Sequence, residues 1–263
     1  MSSIAQTLVY NVNDTWAITQ RNLIRYLRLP QLIFFSSIQP VMFLLLFNFV
    51  FGGAVGNEAA VPGGHYINYL LPGILVQTSL FGGLQTGIGL AEDMGKGIID
   101  RFRSLPMARG AVLAGRTFSD MIRNIFTMSI MIVVGSLLGF RFIGGFFGAI
   151  GTVLIILLFS FAFAWMSAFI GMSVKDSESA QLAGFVTIFP LTFASGIFVP
   201  VASMPAWLQA FARNQPVTHA ANAARELALG LPGTGAWWKL LLWVIGLLAV
   251  FIPLSVYRYK NRS

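Results

Sequence analysis

Six long apolar runs organise the chain: 32–51, 66–90, 118–139, 145–172, 180–198 and 238–257. Each is close to the roughly 20 residues an α-helix needs to cross the hydrocarbon core of a bilayer. The pattern predicts an all-α polytopic membrane protein with six transmembrane helices. Proline lies inside the first, second and fifth runs (Pro40, Pro72, Pro190), where it bends a helix. In the second run Gly83 and Gly87 are four residues apart, a spacing at which small residues let helices approach closely.

The stretches between the runs carry the polar positions. Residues 14–30 place Trp16, Leu23, Ile24 and Leu27 on one helical face and Arg21, Arg25 and Arg28 on another. That predicts a helix lying in the membrane interface, capped by Asp14 and ended by Pro30. Residues 199–236 hold Pro200, Pro205 and Pro216 between helix-prone segments. They predict one or two short extracellular helices at or dipping into the membrane surface, with Trp207 as interfacial anchor. The expected organisation is a single permease-like domain over 1–263, with an interfacial helix at 14–30, a cytoplasmic loop at 91–116 and an extracellular region at 199–236.

Composition agrees with lipid as the solvent: 56% of residues are hydrophobic and 10% charged, with mean hydropathy +0.76. The net charge of +8 reads as topogenic charge, not a nucleic-acid footprint. Thirteen of the 17 Lys and Arg fall on one side of the predicted spans, including Lys175 in the polar loop Lys175-Asp176-Ser177-Glu178. The basic side is cytoplasmic, so both termini are expected inside a plasma or inner membrane. The first residues lack the basic and apolar regions of a cleavable signal peptide. There is no Cys, and His65 and His219 are far apart, so no metal site is expected.

No catalytic constellation appears. Gly89 to Lys96 resembles a P-loop but has five intervening residues instead of four, and Gly97 stands where Ser or Thr should be. The chain is expected to bind no nucleotide or other cofactor and to be no enzyme. The runs are also nearly free of the ionisable groups that ion-driven carriers place at membrane depth. Asp120 and Arg123 lie near one edge, where a helix would pair Asp120 with Arg116 and Arg123 as a structural ion-pair cluster. If the chain transports, its energy comes from another polypeptide.

That directs attention to 91–116. Met94, Ile98, Phe102 and Leu105 would share a helical face, with Glu92–Lys96 and Asp100–Arg103 pairs alongside. Such a helix could rest on headgroups or fill a groove on a partner; the spacing leaves both open.

The segment EDMGKGIIDRFRSLPMAR (92–109) resembles the signature of the ABC-transporter type-2 permease family, in its daunorubicin-resistance-like branch. QPVMFLLLFNFVFGGAV (39–55), YINYLLPGILVQT (66–78) and FPLTFASGIFVPVASMPAWLQAFARNQPVTHAANAAREL (189–227) are similar to other parts of that branch, in the expected order. One departure is NQP at 214–216, where NP is expected. The resemblance implies a six-span half-transporter that pairs with a second permease, as a homodimer or otherwise, and engages two copies of a separate ATP-binding subunit, which alone holds ATP and Mg²⁺. It implies export of amphipathic drugs, antibiotics or lipid-like compounds. By resemblance Arg21 and Arg25 of the interfacial helix, together with Glu92, Asp93, Lys96, Asp100, Arg101, Arg103 and Leu105, couple to the ATPase. Lys175, Asp176 and Glu178 make a minor contact. Gln77, Thr78, Phe81, Gln85, Phe189, Thr192 and Ser195 are candidates to line the substrate path, or else to pack between helices. The rival expectation is a non-transporting scaffold or sensor that recruits a cytosolic partner.

Overall fold

The computed structural model describes residues 4–28, 30–55, 65–98 and 109–261, and those residues are helical apart from short turns. In order the helices are α1 (Ile4–Arg28), α2 (Pro30–Val55), α3 (Tyr66–Gly95), α4 (Arg109–Leu137), α5 (Gly145–Ser173), α6 (Ser177–Phe193), α7 (Ala206–Asn214), α8 (Pro216–Leu229) and α9 (Ala236–Asn261). A single 3₁₀ turn, Val201–Ser203, precedes α7. Among the described residues, four helices (α3, α4, α5 and α9) are long and apolar enough to cross a membrane by themselves. The apolar part of α2 is described over Ser37–Gly53, and α6 has 17 residues.

The hub is α3. Every residue from Tyr66 to Leu80 is buried, and α2, α4, α5, α6 and α8 all pack on it. Glycine makes the closest of these contacts possible. A Cβ on Gly87 would sit 2.2 Å from the Ser167 carbonyl oxygen, and one on Gly171 would sit 2.1 Å from the Gly87 carbonyl oxygen. The small-residue spacing read from the sequence thus seats α3 against α5 with backbones in contact. By contrast α2, α6 and α9 turn large apolar side chains outward, among them Phe49, Val186 and Ile245. A continuous surface of that kind is soluble only in lipid or against another apolar chain.

Three expectations are corrected. The first helix begins at Ile4, so Asp14 lies inside it and not at its N-cap. Its buried strip is Ile18, Thr19 and Asn22, packed on α4, while Trp16 and Ile24 of the expected apolar face point outward. The reason is Gly115 of α4, where a Cβ would meet the Ile18 side chain at 2.7 Å: the helices lock at the glycine, not along the most apolar stripe. The fifth apolar run is helical only to Phe193. Beyond Pro190 the chain unwinds, because side chains take over its carbonyls. Gln215 donates to the oxygens of Leu191 (3.0 Å) and Ala194 (2.7 Å), Tyr69 to Gly196 (2.8 Å), Arg225 to Ile197 (2.9 Å) and Tyr66 to Phe198 (2.6 Å). Within a bilayer, broken helix is tolerated only where the freed groups are satisfied by protein, as they are here. The third correction concerns residues 91–98. There α3 runs on through Glu92 and Asp93, and the chain turns at Lys96 and Gly97, the latter at φ +66°. Met94 and Ile98 are therefore not consecutive turns of one helix.

Enlarging Gly87 forces α3 from α5, whereas a Cβ on Gly246 meets nothing within 4 Å. Gly87→Val is expected to destabilise the detergent-solubilised protein by about 1–3 kcal/mol or to prevent its folding. Gly246→Ala should leave its thermal unfolding within error of the parent, as fluorescence-detected size exclusion after heating would show.

Candidate functional site

Two buried carboxylates, Asp93 near the end of α3 and Asp120 in α4, tie the first helix to the bundle. Asp93 accepts from Arg116 at 2.7 Å and faces Arg21 of α1 at 3.5 Å. Asp120 accepts from the Tyr26 hydroxyl of α1 at 2.5 Å and the Thr86 hydroxyl of α3 at 2.6 Å, with Arg123 at 3.6 Å. The Thr19 hydroxyl adds a third tie, to the Gly115 carbonyl at 3.1 Å. Burial, with Asp120 beside it, pushes the Tyr26 phenol well above its ordinary range, so it stays a donor. The pairing of Asp120 with Arg123 is as expected; Arg116 instead turns to Asp93, filling the space left by Gly89, where a Cβ would collide with its guanidinium.

One turn deeper lies a cavity of about 110 Å³ between α2, α3 and α4. Gln77, Thr78, Phe81 and Gln85 of α3 line it, with Arg123, Asn124 and Thr127 of α4 and Gln39, Pro40 and Phe43 of α2. At 1.5 Å rise per residue, Gln85 stands about 15 Å up α3 from Gly95, exposed at the rim of the cavity. Rings extend from the cavity wall in a ladder. Phe81 meets Phe185 at 6.4 Å between centroids, Phe185 meets Phe189 at 5.1 Å, Phe189 meets Phe193 at 4.3 Å and Phe193 meets Phe198 at 5.3 Å. Phe47 of α2 stacks on Phe198 at 4.4 Å and on Phe43 at 5.8 Å, so the ladder returns to the cavity.

The structure brings together four of the seven path candidates, Gln77, Thr78, Phe81 and Gln85. Phe189 is half-exposed on the ladder. Thr192 and Ser195 are buried where α6 unwinds, the Ser195 hydroxyl bonded to the Thr192 carbonyl at 2.5 Å. Among the coupling candidates, Arg21 and Asp93 meet, and Glu92 pairs with Lys96 at the surface. Lys175, Asp176 and Glu178 form an exposed corner in which Asp176 caps α6 through the Ser179 amide at 2.7 Å. That hydrogen bond holds the Asp176 carboxyl below its usual range. Asp100, Arg101, Arg103, Leu105 and the Arg25 side chain lie outside the described residues. Sequence reasoning missed Tyr26, Thr86 and Arg123 as site residues. The signal was available: α3 and α4 are successive neighbouring helices, so positions about equidistant in sequence from residue 104 (93 with 116, 86 with 120, 82 with 123) face each other.

Removing one partner of a buried pair leaves a bare charge. Asp93→Ala is expected to destabilise the protein by about 3–5 kcal/mol. Asp93→Ala combined with Arg116→Met should recover much of that loss. A thermal-unfolding double-mutant cycle measures the coupling, and strict additivity would dismiss the pair.

The chain matches the ABC-2 type transporter family over residues 13–229. It is 38% identical, over 86% of its length and 78% of the relative's, to the daunorubicin resistance ABC transporter permease protein DrrB1 of Streptomyces coeruleorubidus. It is 27% identical, over 99% of its length and 90% of the relative's, to a probable doxorubicin resistance ABC transporter permease protein, DrrC, of Mycobacterium tuberculosis. A putative transport permease, ycf38, of Cyanophora paradoxa is 24% identical over 86% of the chain and 77% of its own length. Members of this family are transmembrane transport subunits whose ATP is hydrolysed by a separate subunit. The apolar bundle, its cavity and the match along most of the chain agree: this protein is a permease of the ABC-2 type transporter family.

Proposed function

We propose that the chain moves amphipathic, ring-bearing compounds of the kind named for its drug-resistance relatives out of the cell. The observation that carries this reading is the cavity among α2, α3 and α4, polar on its α4 side and continued outward by a ladder of phenylalanines. A ligand with a polar head and a flat apolar body finds both of its needs met there. Stacked or tilted rings 4.3–6.4 Å apart along α6 offer successive faces of similar strength. An amphipath can slide past such faces without a deep trap.

The helices α2, α3, α4, α5, α6 and α9 serve as six spans, with the ends of α1 and α9 and residues 91–116 on the cytoplasmic side. Two permeases, each with one copy of the ATPase, pair across the outward apolar surfaces of α2 and α6. Closure of the ATPases on ATP pushes on α1 and on residues 96–109. The carboxylate ties carry that push to α3 and α4, whose side chains form two walls of the cavity. The exposed Lys175-Asp176-Glu178 corner is a secondary contact, and the chain itself holds no nucleotide.

The test is coupling. Co-expressed with its ATPase and reconstituted, the parent should raise ATP hydrolysis above the rate of the ATPase alone. It should also accumulate daunorubicin in inverted vesicles. Asp100→Lys with Arg103→Glu should return hydrolysis to the uncoupled rate while the protein still inserts and co-migrates as a folded species. Normal stimulation by the double reversal would remove this loop from the coupling path. A protein that recruits the ATPase yet moves no drug would be a scaffold.

A further inference from the structure

The polar lining of the cavity is neutral and only partly used. Its charged member, Arg123, is balanced by Asp120 at 3.6 Å. Gln77 of α3 and Thr127 of α4 are 5% and 3% exposed. Among the described residues neither the Gln77 amide nor the Thr127 hydroxyl has a hydrogen-bond partner, and neither is sealed in, so both open on the space they line. Thr127 departs here from its neighbours: the hydroxyls of Thr78, Thr117 and Thr152 each donate to the carbonyl four residues back. Asn124, one helical turn from Thr127, donates its Nδ2 to Ser160 at 2.9 Å and leaves Oδ1 against Gly82, where a Cβ would sit 2.0 Å from it. A polar group held out of bulk water without a partner costs stability until something returns the bond. Water is the plainest occupant, and a ligand that displaces it must supply the same donors and acceptors. Size limits what that ligand inserts. At about 110 Å³ the cavity is smaller than the roughly 150 Å³ that encloses a benzene ring, so it holds a head of a few heavy atoms while the ring body stays on the phenylalanines.

We infer that Gln77 and Thr127 determine specificity in a neutral head site: the cavity selects amphipaths whose head is small and uncharged and carries both a hydrogen-bond donor and an acceptor, as a carboxamide, a hydroxyketone or a diol does. The Gln77 amide offers N–H and C=O side by side, so such a head can answer both at once. The Thr127 hydroxyl adds a second donor and acceptor, and Asn124 Oδ1 a further acceptor. An apolar head would expel water and return no bond, leaving the Gln77 amide unpaired; sites of this kind reject the analogue that lacks the polar group. A charged group on the body of the ligand stays outside the cavity and is not selected against. The inference rests on the proposed role of the cavity as a substrate port. Binding is measured without ATP, so a loss of export and a loss of head selectivity are separate results.

The experiment uses the full chain in phosphatidylcholine nanodiscs and two neutral probes with one ring system, 1-pyrenecarboxamide and 1-isopropylpyrene, whose heads share a shape and differ in polar atoms. Saturable binding is measured by fluorescence against empty nanodiscs, at equal mole fraction of probe in the lipid. The carboxamide is expected to bind about tenfold more tightly than its apolar isostere, as one or two neutral hydrogen bonds would give. Gln77→Leu should erase most of that preference while leaving the binding of 1-isopropylpyrene at least as tight. Because the fold gives the amide no partner, Gln77→Leu should also unfold at no lower temperature than the parent. Thr127→Val, isosteric and on the other helix, should lower the ratio severalfold. Equal binding of the two probes by the parent, saturable binding of neither, or an unchanged ratio in either variant would each overturn the inference. A Gln77→Leu protein that unfolds well below the parent, or fails to fold, would assign the amide to the structure and overturn it as well.

Discussion

The structure depends on two carboxylates held out of water. Asp93 and Asp120 lie where α3 and α4 meet α1, and each is shared between elements. An unpaired carboxylate in such surroundings would be costly, so the fold fixes cations and hydroxyls around both. Arg116 and Arg21 converge on one, Tyr26, Thr86 and Arg123 on the other. The consequence is mechanical. Without these ties α1 would touch the bundle mainly at Gly115, Ile18 and Thr19. With them, α1 reaches α3 and α4 at points spread over several turns, so displacement of α1 without α4 requires breaking a buried pair.

The other end of the bundle is held differently. There the chain after Pro190 leaves helix, and its carbonyls are taken by Gln215, Tyr69, Arg225 and Tyr66. Arg225 has no carboxylate among its partners; it donates to the Tyr69 and Ile197 carbonyls and to the Asn222 side chain, and its guanidinium lies 3.5 Å over the Tyr69 ring. Hydrogen bonds to carbonyls and a ring face hold this charge without an opposing ion. The cavity and its phenylalanine ladder lie between a latch of ions and a plug of satisfied carbonyls. Apolar contact, which tolerates sliding, dominates along the ladder.

Much of this was legible in the sequence. Apolar runs set the helices, because lipid leaves no other way to satisfy the backbone. The Gly83 and Gly87 spacing announced the close α3–α5 seam, and the charged island at 92–116 marked one end of the bundle. Local periodicity could not show what depends on pairs distant in sequence. The true buried face of α1 follows from Gly115, nearly a hundred residues later. The early end of α6 follows from donors on α3 and α8. Arg116 points to Asp93 because Gly89 leaves room for its guanidinium, and Arg123 becomes a cavity wall only when α2 is brought beside α4. Helix-pair geometry, with partners counted outward from residue 104, recovers the Asp93–Arg116 pair that single-helix spacing misassigned.

The central claim is that α1, α3 and α4 move as one body when ATP acts on the complex. The chain has no Cys, so labels can be placed singly. Spin labels at Ala17 of α1 and Ile125 of α4, both exposed, report that body directly. A second pair at Ile125 and the exposed Leu182 of α6 reports movement across the cavity side. Double electron–electron resonance on the reconstituted complex, nucleotide-free and trapped with ATP, should give a shifted 125–182 distance and an unchanged 17–125 distance. A 17–125 distance that shifts or broadens on trapping would mean that α1 moves on its own, and that the carboxylate ties do not carry the push.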